Sequence, residues 1–444
     1  MNELAIHLND MINKYNPHVF ELLSDLGKKL YYPKGILSQS AEAAKKATRF
    51  NATIGIATEK KVPMHYEHIQ ETLSEYAPED VYPYAPPSGK LTLRNVWKQK
   101  LLRDNPSIQE NWMGLPITTN ALTHGLSLAA DLFVDENDTI ILPDKYWGNY
   151  QTIFHVRRGG NLKTFKLFDD SDTFNVPSFR ECLLQQKDAG KAIVVLNFPN
   201  NPTGYTPKES EVQGIISVLI EAADAGINLA VILDDAYFGL FFEDSVKESL
   251  FGRLSGIHTR ILPIKVDGAT KENYVWGLRV GFITFASDCP NILEALEHKT
   301  NGLIRGTISS SSHLSQSVIL RSLQSSKFEE EKCKKHMILK RRATKVKEII
   351  TREKYKRAWG FYPFNSGYFM CLKLNQVDAE ELRVHLLNQY GVGTIAINST
   401  DLRIAFSCVE EEDLEELFEL IYLGINDIVS NRVSNDDSFY KNLT

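Results

Sequence analysis

Long apolar runs alternate with amphipathic stretches through the middle of the chain. Two of these runs, at 191–197 and 227–234, are almost continuously apolar and end in clusters of Asn, Pro, Gly and Asp. Short continuous apolar runs bounded by turn residues are typical of strands that are buried on both faces, as in a parallel sheet. The alternation therefore predicts that residues from about 66 to 320 form a large, mostly parallel sheet covered by helices.

The last third of the chain is patterned differently. Residues 313–347 contain neither Gly nor Pro and are rich in Lys, Glu and Leu, which predicts long helices with a break near Ser325 and Ser326. An apolar run at 367–374 predicts a strand, and residues 410–429 predict a closing helix. These patterns indicate an α/β fold in which a smaller α+β unit follows the large sheet.

A chain of 444 residues is too long for one hydrophobic core, so we expect more than one domain. The N-terminal segment is mixed in polarity and predicts a helical arm followed by extended chain. The predicted division is an N-terminal arm with part of a small domain at 1–65, a large domain at 66–325, and linker helices with the C-terminal small domain at 326–444.

Composition and charge argue against several classes of protein. The formal net charge of −6 is unlike a nucleic-acid footprint. The five cysteines are scattered without a C-x-x-C pair, which suits a reducing compartment better than a disulfide framework. The first residues lack the basic and apolar regions of a secretion signal, and no apolar run reaches the ~18 residues of a membrane span. We expect a cytoplasmic protein that binds neither nucleic acid nor membrane.

Polar side chains follow the two central apolar runs. Asp234 ends the second run, and Asn201 lies in the turn after the first. Because ligands of open α/β sheets bind beyond the carboxyl ends of the strands, Asp234, Asn201 and Lys271 are predicted to meet in one crevice. A lysine amine becomes a nucleophile when its surroundings disfavour the ammonium form. Arg279, eight residues after Lys271, would help by adding a second cation nearby.

Several short motifs occur in a fixed order along the chain. They are Y-x4-G-x3-L-R at 84–94, L-S-L-A-A-D-L-F at 126–133, a strand and aromatic turn ending in W-G-N-Y at 138–150, N-N-P-T-G at 200–204, D-D-A-Y at 234–237, K-x7-R-x-G at 271–281 and L-R-I-A-F-S at 402–407. In this order and spacing, they resemble the pyridoxal phosphate (PLP)-dependent aminotransferases of classes I and II. The resemblance implies the type I fold of PLP enzymes, with a large mostly parallel-sheet domain and a smaller α+β domain.

The resemblance also implies roles for the residues around the cofactor ring. Lys271 would hold PLP as a Schiff base, and Asp234 would stabilise the protonated ring nitrogen. Strand alternation should point the neighbouring Asp235 to the other face of the sheet. Asn201 and Tyr237 would hydrogen-bond the phenolic oxygen of the ring and so tune the reactivity of the lysine.

The phosphate of the cofactor would lie at the start of the helix at 126–133, where free backbone N–H groups favour an anion. The remaining cofactor-binding residues implied by the resemblance are Ala121, Leu122, Thr123, Thr270, Arg279, Trp147 stacked on the ring and, from a neighbouring subunit, Tyr84. Two departures from the family pattern should weaken phosphate binding at this site: the bulky segment 120–122 replaces small residues, and Gly268 replaces a serine. The charge-assisted bond of Arg279, at ~1.5–3 kcal/mol, should outweigh one lost neutral hydrogen bond of ~0.5–1.5 kcal/mol.

Substrate recognition is predicted to rest on two arginines. By resemblance, Arg403 would hold the α-carboxylate of the substrate, since a planar guanidinium binds a carboxylate bidentately. Arg305 has the spacing of the arginine that aspartate aminotransferases use for the distal carboxylate across the dimer interface. It would favour acidic substrates, although an arginine at an interface or at the start of a helix would also explain it. The further substrate-binding residues implied are Asn201 and Ala57.

The function implied is transfer of an amino group between an L-amino acid and a 2-oxo acid, with a lean to aspartate, glutamate and 2-oxoglutarate. Lys271, Asp234 and Tyr237 are the expected catalytic residues, in a symmetric homodimer with shared active sites. Another PLP enzyme of the same fold (a lyase, decarboxylase or acyl transferase) and a non-catalytic PLP-fold binding protein are the alternatives. His65 and His68 have no third ligand of matching context, so no metal is expected.

Overall fold

The structure is a computed structural model that describes residues 1–31 and 35–441. The first and last parts of the predicted division therefore include residues 32–34 and 442–444, which lie outside the described residues. The described N-terminal part is mainly helical, as predicted. Its elements are α1 (Glu3–Tyr15), α2 (Pro17–Leu22), α3 (Asp25–Lys29), α4 (Ile36–Lys46), β1 (Phe50–Asn51), β2 (Thr58–Glu59) and β3 (Val62–Pro63). Two short helices, α5 (Glu67–Thr72) and α6 (Pro78–Val81), follow it.

A sheet of seven strands forms the centre of the molecule. The strands are β4 (Ile117–Asn120), β5 (Thr139–Pro143), β6 (Asn161–Phe165), β7 (Lys191–Asn197), β8 (Asn228–Asp234), β9 (Ile261–Asp267) and β10 (Val280–Phe285). Their order across the sheet is β4-β10-β9-β8-β7-β5-β6. The neighbouring pairs are parallel except those of β10, which runs antiparallel to both β4 and β9. The prediction of a mostly parallel sheet is confirmed, and β10 makes the sheet mixed.

The apolar character of the central strands follows from their burial. In β7, residues 192–196 are at most 1% exposed, and Val231 and Ile232 of β8 are fully buried. Both faces of these strands are covered by helices, so an alternating pattern has no solvent side to face. The β7–β8 register pairs Asn197 with Asp234, which brings the ends of both strands to one edge of the sheet.

Helices cover the sheet and lead to the C-terminal part. They are α7 (Leu91–Asp104), α8 (Ala121–Phe133), α9 (Val176–Leu184), α10 (Glu209–Asp224), α11 (Leu250–Leu254), α12 (Ala269–Glu272), α13 (Pro290–Thr307), α14 (His313–Gln324) and α15 (Phe328–Ile350). Ser325 adopts an extended conformation between α14 and α15, so the predicted break in the long helical stretch is confirmed. Within the described ranges, no helix has the length and apolar character needed to cross a bilayer.

A second sheet follows α15. The remaining elements are β11 (Trp359–Phe361), β12 (Phe369–Leu374), α16 (Ala379–His385), β13 (Val392–Gly393), β14 (Ile395–Ala396), β15 (Asp401–Ala405) and α17 (Leu414–Lys441), and the four-stranded order is β11-β12-β15-β14. The closing helix begins later than predicted, because Glu410 is extended and forms an ion pair with the buried Arg342 of α15. It also continues beyond the predicted end, to Lys441.

Candidate active site

A cavity of about 250 Å³ opens at the carboxyl ends of β7 and β8. This is the edge at which open α/β sheets bind their ligands. The predicted crevice is present, because Asp234, Asn201 and Lys271 all line this cavity. The other lining residues are Ile36, Gly55, Leu122, Thr123, Leu126, Trp147, Asn197, Ala236, Tyr237, Arg279, Phe369 and Arg403.

Lys271 lies in the single turn of α12 and lines the cavity. Its Nζ lies 5.2 Å from the centroid of the Tyr237 ring. The Tyr368 hydroxyl donates to the Lys271 carbonyl at 3.0 Å and so holds the backbone of this turn. Removal from water lowers the pKa of Lys271 to about 8, with Asp234 acting in the opposite direction and Arg279 adding to the decrease. An amine with this pKa is available as a nucleophile and base near neutral pH.

Two glycines allow the lysine turn to pass close to β10 and α8. A Cβ atom on Gly268 would lie 2.6 Å from the Cα of Gly281. A Cβ atom on Gly281 would in turn lie 2.7 Å from the carbonyl carbon of Ala121. Such distances leave no room for a side chain. The absence of a serine at 268 therefore has a steric reason, because the backbone of β10 passes directly beside this position.

Asp234 ends β8 and is 3% exposed. Its Oδ2 accepts a hydrogen bond of 2.6 Å from the Tyr150 hydroxyl, and its Oδ1 accepts one of 3.2 Å from the Ala236 N–H. Burial raises the pKa of Asp234, while the hydrogen bond from Tyr150 and the charge of Lys271 lower it in part. The carboxylate is thus held in place by neutral donors and faces the lysine across the cavity.

Asp235 faces away from the cavity, as strand alternation predicts. Its carboxylate accepts a hydrogen bond of 2.6 Å from the Ser249 hydroxyl and forms an ion pair with Lys265, which is fully buried. Asp267 lies 3.7 Å from the same amine and accepts from the Trp97 indole N–H at 3.3 Å. This buried charged group lies behind the strands, so Asp234 is the carboxylate that reaches the cavity.

Arg403 is held at the other side of the cavity by β15. Its Nη1 donates to Asn201 Oδ1 at 3.1 Å, and its Nη2 donates to the Thr53 carbonyl at 2.8 Å. The guanidinium carbon lies 4.2 Å from the centroid of the Phe369 ring. Burial lowers the pKa of Arg403 to about 10. Its Nε is buried and has no hydrogen-bond partner among the described residues, which leaves a donor for a ligand carboxylate.

The sequence predicts that the cofactor phosphate binds at the start of α8. Leu122, Thr123 and Arg279 line the cavity there. Ala121 adopts a left-handed conformation with a φ of 62° and is 1% exposed, so it bends the chain beside the cavity without lining it. Thr270 is also buried, and its hydroxyl donates to the Val280 carbonyl at 3.4 Å. The structure therefore places Leu122, Thr123 and Arg279 on the cavity and sets Ala121 and Thr270 behind it.

The sequence profile described as aminotransferase class I and II matches residues 58–421. The chain belongs to this family. Class I and II aminotransferases use pyridoxal phosphate as their cofactor.

Curated relatives of this aminotransferase-family chain are distant. The aspartate aminotransferase of Bacillus subtilis is 22% identical over 256 residues, which cover 58% of this chain and 62% of the relative. The aspartate/prephenate aminotransferase of Thermus thermophilus is 24% identical over 222 residues, or 49% of this chain and 52% of the relative. The matched part of the chain thus spans little more than half the length of these relatives.

Solved structures agree with the fold. An aminotransferase from Anaerococcus prevotii superposes with a TM-score of 0.77 at 23% identity, covering 90% of this chain and 98% of that one. A multiple substrate aminotransferase from Thermococcus profundus gives a TM-score of 0.78 at 16% identity, covering 94% and 100%. The type I fold expected from the motifs is therefore confirmed for this aminotransferase-family chain.

The donor set of the cavity fits PLP. An amine of lowered pKa suits the cofactor aldehyde, and a buried carboxylate suits a protonated ring nitrogen. The α8 N-terminus and Arg279 suit a phosphate, and Arg403 suits a substrate carboxylate. Trp147, Asn201 and Tyr237, for which the resemblance implies contacts with the ring, also line the cavity.

Besides Ala121 and Thr270, three more predicted site residues do not line the cavity of the same chain. The side chain of Tyr84 is 94% exposed, and Arg305 is exposed and donates to the hydroxyl of Ser309, which follows the end of α13. Both would act only in the cavity of a second copy. Ala57 is buried and does not line the cavity, whereas Gly55, two residues earlier in the same loop, does.

Some residues of the site were missed by sequence reasoning. Tyr150 lies within the aromatic turn that carries Trp147, but its bond to Asp234 joins residues that are 84 positions apart. Phe369 and Ile36 line the cavity from β12 and from the start of α4. Apolar residues such as these carry no chemical signal in a sequence, so only their placement reveals them.

Proposed function

We propose that the protein is a PLP-dependent aminotransferase that moves an amino group between an L-amino acid and a 2-oxo acid. One observation carries the proposal: a lysine amine of lowered pKa shares a small cavity with a buried carboxylate and a buried arginine. This is the set of groups needed to anchor the cofactor, to stabilise its ring and to orient an amino acid. The matched relatives support it, because their names are those of aminotransferases.

Bound PLP would supply an electron sink for charge that develops at the substrate Cα. Lys271 would act first as the anchor and then as the base, because its freed amine can accept a proton from Cα and return it. Asp234 would remain ionised beside the ring nitrogen, with the Tyr150 hydroxyl donating to its Oδ2. Tyr237 and Asn201 would hydrogen-bond the phenolic oxygen, since both line the same wall as the lysine.

Arg403 would bind the substrate α-carboxylate. Its guanidinium already faces the cavity, and its unpartnered Nε offers a second donor beside those engaged by Asn201 and Thr53. A bidentate pair fixes the carboxylate in one plane and so directs the Cα–H bond toward Lys271. At the other end, Arg279 and the backbone amides of Leu122 and Thr123 would bind the phosphate.

The finer proposal concerns assembly and substrate. We propose a cytoplasmic homodimer in which Tyr84 and Arg305 complete the cavity of the neighbouring subunit, because neither reaches its own. Arg305 would then meet the distal carboxylate of aspartate, glutamate or 2-oxoglutarate. An acidic preference therefore depends on dimer formation, and Arg305→Ala should reduce it without changing cofactor binding.

The test is a visible spectrum of the purified protein with PLP, recorded before and after addition of L-aspartate, L-glutamate or L-leucine. Conversion of the bound-cofactor band to a pyridoxamine-like band, reversed by 2-oxoglutarate, supports the proposal. Lys271→Ala should lose both the covalent band and turnover, whereas Lys299→Ala, at an exposed lysine of α13, should keep both. A bound cofactor that no amino acid converts would point to a lyase, decarboxylase or acyl transferase of the same fold. No cofactor band in the unaltered protein would point to a non-catalytic binding protein.

A further inference from the structure

One ion pair joins the two sheets beside the cavity. Lys145 lies in the loop after β5, and its Nζ lies 2.9 Å from Oδ2 of Asp401, the first residue of β15. The side chains of Lys145 and Asp401 are 13% and 1% exposed. Because salt screens partly buried charges much less than exposed ones, this pair differs from the surface ion pairs of the molecule.

The carboxylate of Asp401 is saturated with donors. Tyr362 donates its hydroxyl at 3.1 Å, Asn398 donates its amide at 2.9 Å, and Thr400 donates its hydroxyl at 3.0 Å. These three residues belong to the same part of the chain as the small sheet, whereas Lys145 lies in the loop that follows β5 of the large sheet. The lysine is therefore the donor that ties the start of β15 to the other sheet.

The backbone of Lys145 makes a second link. Its carbonyl accepts a hydrogen bond of 3.0 Å from the amide of Asn200, the neighbour of Asn201 in the turn after β7. Trp147 follows two residues later in the same loop. A single residue thus connects the loop that carries Trp147, the turn that carries Asn201 and the strand that carries Arg403.

The geometry of β15 transmits this link to the cavity. Residues two apart on a strand point to the same face, so Asp401 and Arg403 lie side by side on one face of β15. Arg403 in turn contacts Asn201 at 3.1 Å. A shift at the start of β15 would therefore displace the guanidinium relative to the turn and to the cofactor site.

We propose that Lys145 and Asp401 are positioning residues whose ion pair holds Arg403 at the distance from the Trp147 loop that carboxylate binding requires. This inference rests on the proposed role of Arg403 in the aminotransferase site. The ion pair touches neither the phosphate end of the site at α8 nor the Lys271 turn. Its loss should therefore act mainly on the affinity for the substrate carboxylate, and less on the affinity for PLP, which Lys271, Arg279 and the start of α8 would hold.

The experiment uses the PLP-loaded protein and two single variants, Lys145→Met and Asp401→Asn. The dissociation constant of 2-oxoglutarate is measured by calorimetry without an amino donor, and that of PLP is measured by absorbance titration of the apoprotein. We expect the first constant to rise about tenfold in each variant, because losing the alignment of one charge-assisted hydrogen bond changes an affinity by about this much. The PLP constant should stay within about threefold, and the double variant should match the single variants because both remove one coupled interaction.

Lys373 provides a matched control. It lies over the same Tyr362 ring, at 4.3 Å from the centroid, and pairs with Asp172 at 3.2 Å, but its side chain is 36% exposed. Lys373→Met should leave both constants within about twofold, as for an exposed ion pair. If Lys145→Met does not fold, the same result is expected of Asp401→Asn. Lys145→Arg keeps the charge and should keep the affinity for 2-oxoglutarate.

The inference is overturned if the 2-oxoglutarate constant is unchanged in the folded variants, if the PLP constant rises equally, or if Lys373→Met has the same effect. In each case the pair would have no specific role in positioning Arg403. Failure of the proposed function has a different signature, since it would appear in the unaltered protein as cofactor binding without any amino exchange.

Discussion

Replacing Tyr150 with Phe removes the hydroxyl that donates to Asp234 at 2.6 Å and keeps the ring that packs around it. Tyr150 and Asp234 are 1% and 3% exposed, so water has little access to replace the lost donor. A hydrogen bond to a charged group contributes ~1.5–3 kcal/mol. Because this bond favours the charged form, its loss in Tyr150→Phe should raise the pKa of Asp234 further.

The sign of the effect follows from the charge states. Burial already raises the pKa of Asp234, and the bond from Tyr150 acts against that rise. Only the ionised carboxylate stabilises a protonated cofactor ring, so PLP affinity should fall as the pH drops through the pKa of Asp234. In Tyr150→Phe this fall should begin at a higher pH than in the unaltered protein.

The assay is the dissociation constant of PLP, measured by absorbance titration of the apoprotein from about pH 5 to pH 9, because burial moves the pKa of a carboxyl group upward. Tyr146→Phe is the matched control, because Tyr146 stacks on Tyr150 with ring centroids 6.4 Å apart. Burial raises the pKa of Tyr146, and in the part of the chain that the structure describes the donors to Asp234 are Tyr150 and Ala236. An acid limb at the same pH in all three proteins would refute the reasoning.

Two further substitutions test the arginine and the glycine contact. Arg403→Lys keeps the charge but loses the planar guanidinium. The KM for a 2-oxo acid should therefore rise about tenfold to a hundredfold, which corresponds to ~1.5–3 kcal/mol for hydrogen bonds to a charged group. Steady-state kinetics, with PLP binding unchanged, would check this, and an unchanged KM would contradict it. Gly268→Ala should destabilise the fold by ~1–3 kcal/mol in urea unfolding, because the added Cβ would lie 2.6 Å from the Gly281 Cα. Gly277→Ala, where nothing lies within 4 Å of the added Cβ, should stay within ~0.5 kcal/mol, and equal losses would show that crowding is not the cause.

Much of the fold was predictable because local patterns and short connections determine the parallel part of the sheet. β7, β8 and the break between α14 and α15 were placed correctly from apolar runs, turn residues and the absence of Gly and Pro. The antiparallel direction of β10 was not predicted. Its direction is set by pairing with β4 and β9 on either side, and nothing in its own residues specifies it. The later start of α17 was also missed, because it depends on the ion pair of Glu410 with Arg342.

By itself, the sequence determined the order of the elements, the buried strands and the types of chemical group at their ends, because burial and turn formation are read from neighbouring residues. It also indicated Lys271, Asp234 and Arg403 through motifs that keep their order along the chain. Only the tertiary structure decided which partners surround these groups. Arg403 meets Asn201 across 202 positions, and Asp234 meets Tyr150 across 84. The pKa of a side chain depends on such distant neighbours and on exclusion of water, and neither exists before the sheets have packed together.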